Sequence, residues 1–174
     1  MRPHNFLLPV QCLIICFAQN IITGCTDTNS DSRIKAEVIA LAEDYAKNQL
    51  KAPEKKVLKD GTIMLGDTLR RYFIQPSAVF IGLIDDDDSK DAIVSITMMQ
   101  RYGKQVNEHL IITKTGGKYI LVRSIESDMK ILSVKERVIT ADIPTHAPDN
   151  PLYNCSACRE VVKYRFKNGE LIRM

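Results

Sequence analysis

The chain has 174 residues, 24 Lys and Arg against 21 Asp and Glu, a formal charge of +3, and no Trp. That length suits one core and is short for two domains, and so small a positive excess lacks the concentrated basic stripe of a nucleic-acid binder, which argues against nucleic acid as a partner. With 45% hydrophobic and 26% charged residues, the composition is that of a soluble domain once an apolar N-terminal run is set aside.

That run reads as an address. Arg2 provides a positive start, residues 6–18 are apolar except where Pro9 and Gln11 interrupt them, and the small residues Thr23 and Gly24 precede Cys25. This is the layout of a secretory signal peptide, and its apolar core falls short of the roughly 20 residues a membrane-spanning helix needs. Ile22-Thr23-Gly24-Cys25 resembles the lipobox of bacterial lipoproteins, in which the cysteine thiol takes a diacylglyceryl group before cleavage makes that cysteine the new N-terminus. The resemblance implies a removed signal peptide over 1–24 and a lipidated Cys25 that tethers the domain to the membrane of a bacterial cell envelope. Two or more acyl chains hold a protein stably where one does not. In such lipoproteins of Gram-negative bacteria an Asp directly after the cysteine favours the inner membrane; Thr26 stands there, which implies the outer membrane, facing the periplasm. Residues 26–33 contain no aliphatic or aromatic side chain, so 25–33 is expected as the lipidated cysteine and a flexible stalk.

A single globular domain is expected over 34–174. Ile34, Val38, Leu41 and Tyr45, flanked by Ala42 and Ala46, predict one amphipathic helix, capped by Asp31 or Ser32 and ended by about Ala52 ahead of Pro53. Beyond it the period becomes two, over 79–84, 92–99, 110–113, 119–123, 131–134, 138–143, 161–166 and 171–172, with turn chemistry at Asp60-Gly61, Gly103-Lys104, Gly116-Gly117 and Asn168-Gly169. The short connections predict antiparallel neighbours. The expected class is α+β, with the N-terminal helix packed on an antiparallel β-sheet.

Between two of these strands Asp85, Asp86, Asp87, Asp88 and Asp91 crowd one loop. A hard cation such as calcium takes several oxygens, and Asp85, Asp87 and Asp91 are spaced to turn inward on one centre. The alternative is a solvated acidic turn. Asp91-Ala92-Ile93-Val94, Asn150-Pro151, Cys155 to Cys158, and the end from Tyr164 to Leu171 together resemble a group of exported bacterial proteins of unassigned activity. These carry a D-x-[DN]-x-D-G-x-x-D-[AL]-[IV]-V loop and strand and a final hairpin ending in Asn-Gly. The likeness spans about residues 77–174, with Leu83 at the place of the loop's first Asp and Asp88 at the place of its Gly.

Of five cysteines, Cys12 and Cys16 fall in the signal peptide and Cys25 in the lipobox, leaving Cys155 and Cys158 as an even pair in an oxidising compartment. A C-x-x-C pair is a disulfide, a redox centre or half a metal site, for which His146 would be a third ligand. Strand periodicity follows Cys158 directly, which favours a structural disulfide. Beyond the leader, histidine occurs only at 109 and 146, and no nucleophile elbow, zinc-binding helix or phosphate loop is present. The reading that results is a non-enzymatic, membrane-anchored envelope lipoprotein that binds another envelope protein or a glycan. The alternatives are a periplasmic thiol-disulfide enzyme using Cys155 and Cys158, and a calcium-binding envelope protein.

Overall fold

The computed structural model describes residues 28–103, 105–147, 150, 155 and 157–174. Residues 1–27, and with them the lipobox-like segment and the expected lipidation site Cys25, lie outside the described residues. One helix, α1 (Thr28–Asn48), precedes ten strands. They are β1 (Glu54–Val57), β2 (Ile63–Gly66), β3 (Arg70–Gly82), β4 (Asp91–Gln100), β5 (Gln105–Thr115), β6 (Lys118–Glu126), β7 (Lys130–Lys135), β8 (Val138–Pro144), β9 (Arg159–Lys167) and β10 (Glu170–Arg173).

All neighbouring strands are antiparallel, and they form two sheets: six strands in the order β1 to β6, and four in the order β10-β9-β8-β7. The expected α+β class is therefore corrected: the protein is mostly β, built on two antiparallel sheets, and the helix supplies one layer only. The reason lies in β4 and β5. Ala92, Val94, Ile96, Leu110 and Ile112 point at Val38, Ala42 and Ala46 of α1, while Ile93 and Ile111 on the opposite face meet Met129, Ile131, Val134, Ile139 and Phe166 of the second sheet. A central strand buried on both faces reads as a continuous apolar run, and Asp91 to Val94 and His109 to Thr113 are buried without alternation. The period of two read for 92–99 and 110–113 implies one buried face per strand, and so a single sheet beneath the helix.

The two sheets touch most closely where β3 ends. A Cβ built on Gly82 would lie 2.7 Å from the carbonyl oxygen of Val134 and 2.9 Å from its Cγ1, so glycine is what lets β7 approach.

Two local differences have simple causes. The helix begins at Thr28 rather than Ile34, so residues 28–33, expected as stalk, form its first turns, and Asp31 and Ser32 lie inside it rather than at its cap. There Asp31 pairs with Lys90 at 2.6 Å, and Arg33 with Glu37 at 3.0 Å, contacts that polar composition alone does not announce. Strands β1, β2 and the first part of β3 were not expected, because Glu54-Lys55-Lys56 is a charged edge and Pro76 interrupts the period of β3. The hairpin turns at Gly116-Gly117 and Asn168-Gly169 stand as expected, all four residues having positive φ.

Candidate functional site

The structure gathers the carboxylates of Asp85, Asp87 and Asp91, with one ligand atom from each inside 4.8 Å of the others. Their present engagements differ. Asp91, fully buried, accepts hydrogen bonds from the backbone N–H of Ile84 at 3.0 Å, of Lys114 at 3.0 Å and, at longer range, of Asp85 at 3.4 Å. Burial nonetheless wins over these bonds and raises its pKa above the ordinary carboxylate value. Asp85 and Asp87 fold the loop on itself: Asp85 Oδ1 accepts from the N–H of Asp87, and Asp87 Oδ1 from the N–H of Ser89.

A cation already reaches this loop. Arg137 donates from Nε to the carbonyl of Asp85, and from Nη2 to the carbonyl of Asp87 and to Oδ1 of Asp88, each at 2.9 Å. It stands in the two-residue turn between Lys135 and Val138, where Glu136 and Arg137 have φ of 50° and 62°. Such turns favour Asn-Gly, and a side chain with a Cβ costs roughly 1–2 kcal/mol there. The backbone is held in that state while the guanidinium ties the second sheet to the loop of the first. The guanidinium already places a positive charge on the carbonyls of this loop, which opposes a second cation beside it. The expected outcome is that millimolar calcium leaves the melting temperature of the native chain unchanged, whereas Arg137→Ala lowers it by a few degrees and makes it rise with calcium. Thermal denaturation of both proteins, with and without calcium, checks this; a calcium-dependent rise in the native chain would mean that Arg137 does not compete.

A second arrangement was not foreseen from sequence. Four residues of β3, Gln75 to Ala78, stand opposite the single residue Ser95, because Ile74 pairs with Ile96 and Val79 with Val94. Pro76 has no N–H to give to a ladder, so the sheet bulges there. Beside the bulge lies a groove of about 520 Å³ between the sheets, walled by Phe73, Phe80, Met129 and Ile131. Its floor is polar. Ser95 faces His109 and Thr97 faces Asn107 across β4 and β5, and both pairs are hydrogen-bonded, Ser95 Oγ with His109 Nδ1 at 2.8 Å and Thr97 Oγ1 donating to Asn107 Oδ1 at 3.1 Å. Arg159 closes one end, donating to Oδ2 and the carbonyl of Asp142 and to the carbonyl of Asp128. The signal was present as polar residues at alternate positions, 95 and 97, 107 and 109, on the face that also carries Ile93 and Ile111.

His109 is 3% exposed. Its Nε2 makes no well-formed hydrogen bond, although backbone groups of Ser127 and Met129 are near enough to favour the charged ring. Burial outweighs them and lowers its pKa below the ordinary value near 6.5. The folded protein thus holds a neutral imidazole where the unfolded chain takes a proton. The stability this confers is present above pH about 6.5 and is lost as pH falls toward the depressed folded value, at up to about 1.4 kcal/mol per pH unit for one proton. Asp91 and Glu108, whose pKa values burial raises, act with the opposite sign. Urea unfolding between pH 7.5 and 5.5 should show stability falling with pH, and His109→Gln should flatten that slope. An unchanged slope in the variant would assign the effect elsewhere.

Cys155 and Cys158 are placed at disulfide-bonding distance, with Cα atoms 5.1 Å apart, just before β9. The carbonyl of Cys158 accepts from both the N–H and Oγ1 of Thr145, each at 3.0 Å, which pins this end of the loop to the end of β8. A strand, not a helix N-terminus, follows the pair, so the fold supplies no helix dipole to stabilise a thiolate.

Fold and site together define a mostly-β protein of two stacked sheets and one covering helix, with a groove opened by a bulge between the sheets. No family model matches the chain, and comparison with curated proteins and with solved structures finds no match. Among the described residues no helix is long and apolar enough to cross a membrane.

Proposed function

We propose that the chain is a non-enzymatic, lipid-anchored module of the bacterial cell envelope that binds an uncharged, hydroxyl- and amide-bearing ligand, a glycan, in the groove between its sheets. The observation that carries the binding reading is the groove floor. Ser95, Thr97, Asn107 and His109 form a row of neutral hydrogen-bonding groups beneath the half-buried rings of Phe73 and Phe80. Small-ligand sites combine mostly apolar walls with a few placed polar groups in volumes of roughly 300–1,000 Å³. Arg159 has its guanidinium engaged with Asp142 and Asp128, so an anion is the poorer fit.

The envelope address rests on Ile22-Thr23-Gly24-Cys25 and the polar residues after it. Cys25→Ala should abolish fatty-acid labelling and leave an unprocessed precursor; a labelled variant, or mature protein starting elsewhere, rejects the anchor. For the groove, soluble envelope glycan fragments titrated into isotopically labelled protein should shift the amides of β4 and β5 around Ser95 and His109, and Asn107→Leu should remove the response. Shifts confined to other surfaces reject the groove as the site. The thiol-enzyme reading has less support, since a strand and not a helix N-terminus follows Cys158.

A further inference from the structure

The end of the six-stranded sheet furthest from the start of α1 carries a charge pattern that the groove does not use. Asp31, near the helix start, pairs with Lys90 just before β4, whereas the N–H of Lys51, just past the helix end, donates to Asp67 in the β2–β3 turn. About 31 Å of helix separates the two ends. At the far end two hairpin tips adjoin, the N–H of Arg101 in the β4–β5 turn donating to the carbonyl of Leu69 in the β2–β3 turn at 2.9 Å. Arg70, Arg71 and Arg101 line a cleft of about 430 Å³ between them.

None of these three arginines, nor Lys51, forms an ion pair among the described residues. The carboxylates close by are Glu54, opposite Gly66 on the neighbouring strand, and Asp67, which is occupied by the N–H groups of Leu69, Arg70 and Lys51; those bonds and, less strongly, the charge of Arg70 hold its pKa low, and Arg70 also bonds to Tyr72, which leaves Arg71 and Arg101 the freer pair. Gly66 has a purpose here. A Cβ on it would lie 2.9 Å from Cγ of Arg71 and 3.2 Å from the carbonyl of Arg70, so its absence makes room for the Arg71 stem. The same tips expose three large side chains, Leu69 at 52%, Met99 at 40% and Tyr102 at 92%.

We infer that this basic, apolar tip docks on the surface of an anionic phospholipid bilayer. The arginines would meet lipid phosphates while Leu69, Met99 and Tyr102 enter the boundary between headgroups and acyl chains, the division of labour of interfacial protein segments. A free phosphate would satisfy the arginines and leave those three side chains in water. Hairpin tips are also the part of a sheet that can touch a plane without moving its strands. The contact is separate from the proposed groove and does not require acylation of Cys25, so each of the three can fail alone.

The test is cosedimentation of the full chain carrying Cys25→Ser, which removes the acylation site, with vesicles of phosphatidylcholine alone or with one-third phosphatidylglycerol. The leader, with its positive Arg2, is common to the parent and the variants, so the change that a substitution makes in the ratio of the two partition coefficients reports the tip. At roughly five-fold per basic residue near an anionic surface, the combined change of Arg70, Arg71 and Arg101 to Ser should lower that ratio on the order of 100-fold. Tyr102→Ser, at an exposed site that folding does not need, should weaken binding to the anionic vesicles several-fold. Equal partition of the parent chain on both vesicles, or a triple variant that keeps its circular dichroism and prefers anionic vesicles as strongly as the parent, overturns the proposal. Release by millimolar inorganic phosphate together with indifference to Tyr102→Ser overturns it in favour of a soluble-phosphate site.

Discussion

Asp91→Ala should destabilise the protein by about 3–5 kcal/mol, the largest effect expected of any single side chain in the acidic loop. The carboxylate is fully buried and accepts from the N–H groups of Ile84 and Lys114 at 3.0 Å each and from Asp85 at 3.4 Å. Truncation leaves those donors without a partner, and each buried unsatisfied group costs roughly 1–3 kcal/mol. Asp91→Asn keeps one carbonyl oxygen, which can serve the loop or Lys114 but not both, and should cost about half as much. Asp85→Ala and Asp87→Ala remove turn bonds at an accessible loop and should each cost under about 1 kcal/mol. Urea denaturation of the four variants distinguishes the two readings of the loop. Equal, small effects at all three positions would mean that Asp91 is not the plug joining loop to sheet; the graded series makes Asp91 a structural acceptor irrespective of any cation.

Gly82→Ala should lower stability by roughly 1–3 kcal/mol although it adds only one methyl group. The new Cβ would stand 2.7 Å from a backbone carbonyl, that of Val134, which no rotamer change can move. One sheet must therefore shift from the other. Val134→Ala in the same chain removes the second clash, at Cγ1, and leaves the first, so it should restore little. Alanine at Gly116 or Gly117 tests a different mechanism. A Cβ meets nothing within 4 Å at either site, and only the positive φ of 57° or 81° resists it. If Gly82→Ala proves as stable as the native chain, the sheets are not packed in contact at this point. Retained stability with altered ligand response in the groove would instead show that the sheets can slide there, since Phe80, two residues before Gly82, lines that groove.

Much of the local structure could be read from residue order. The alternation in 138–143 and 161–166 and the Asn168-Gly169 turn produced β8, β9 and β10 within one or two residues of their bounds. The helix face of Val38, Ala42 and Ala46 was likewise evident, and those side chains are fully buried. These features follow from periods of two and 3.6, which are properties of a short segment. The same logic missed β1 and β2, where charged edge residues dilute the pattern, and it treated 26–33 as stalk because polarity was the only local signal.

The sites depended more heavily on distant pairing. Asp85, Asp87 and Asp91 were recognised as a group from spacing, and the fold brings them together. Spacing did not reveal that Asp91 faces backbone N–H groups across to β5, nor that Arg137, about fifty residues away in sequence, delivers a guanidinium to the loop carbonyls. His109 looked like an isolated histidine because its partner, Ser95, is a neighbour only through the register of β4 and β5. The groove likewise needs a bulge in one sheet to coincide with the margin of another. By itself the sequence determined the elements with a clear period, their turns and the spacing of the acidic loop. The tertiary structure alone decided that the strands divide into two sheets, which faces of β4 and β5 are buried twice, and which polar groups meet. Periodicity states that a residue has a buried side; only the packed chain supplies what lies on it, because that contact is made by segments whose spacing along the chain carries no local energy signal.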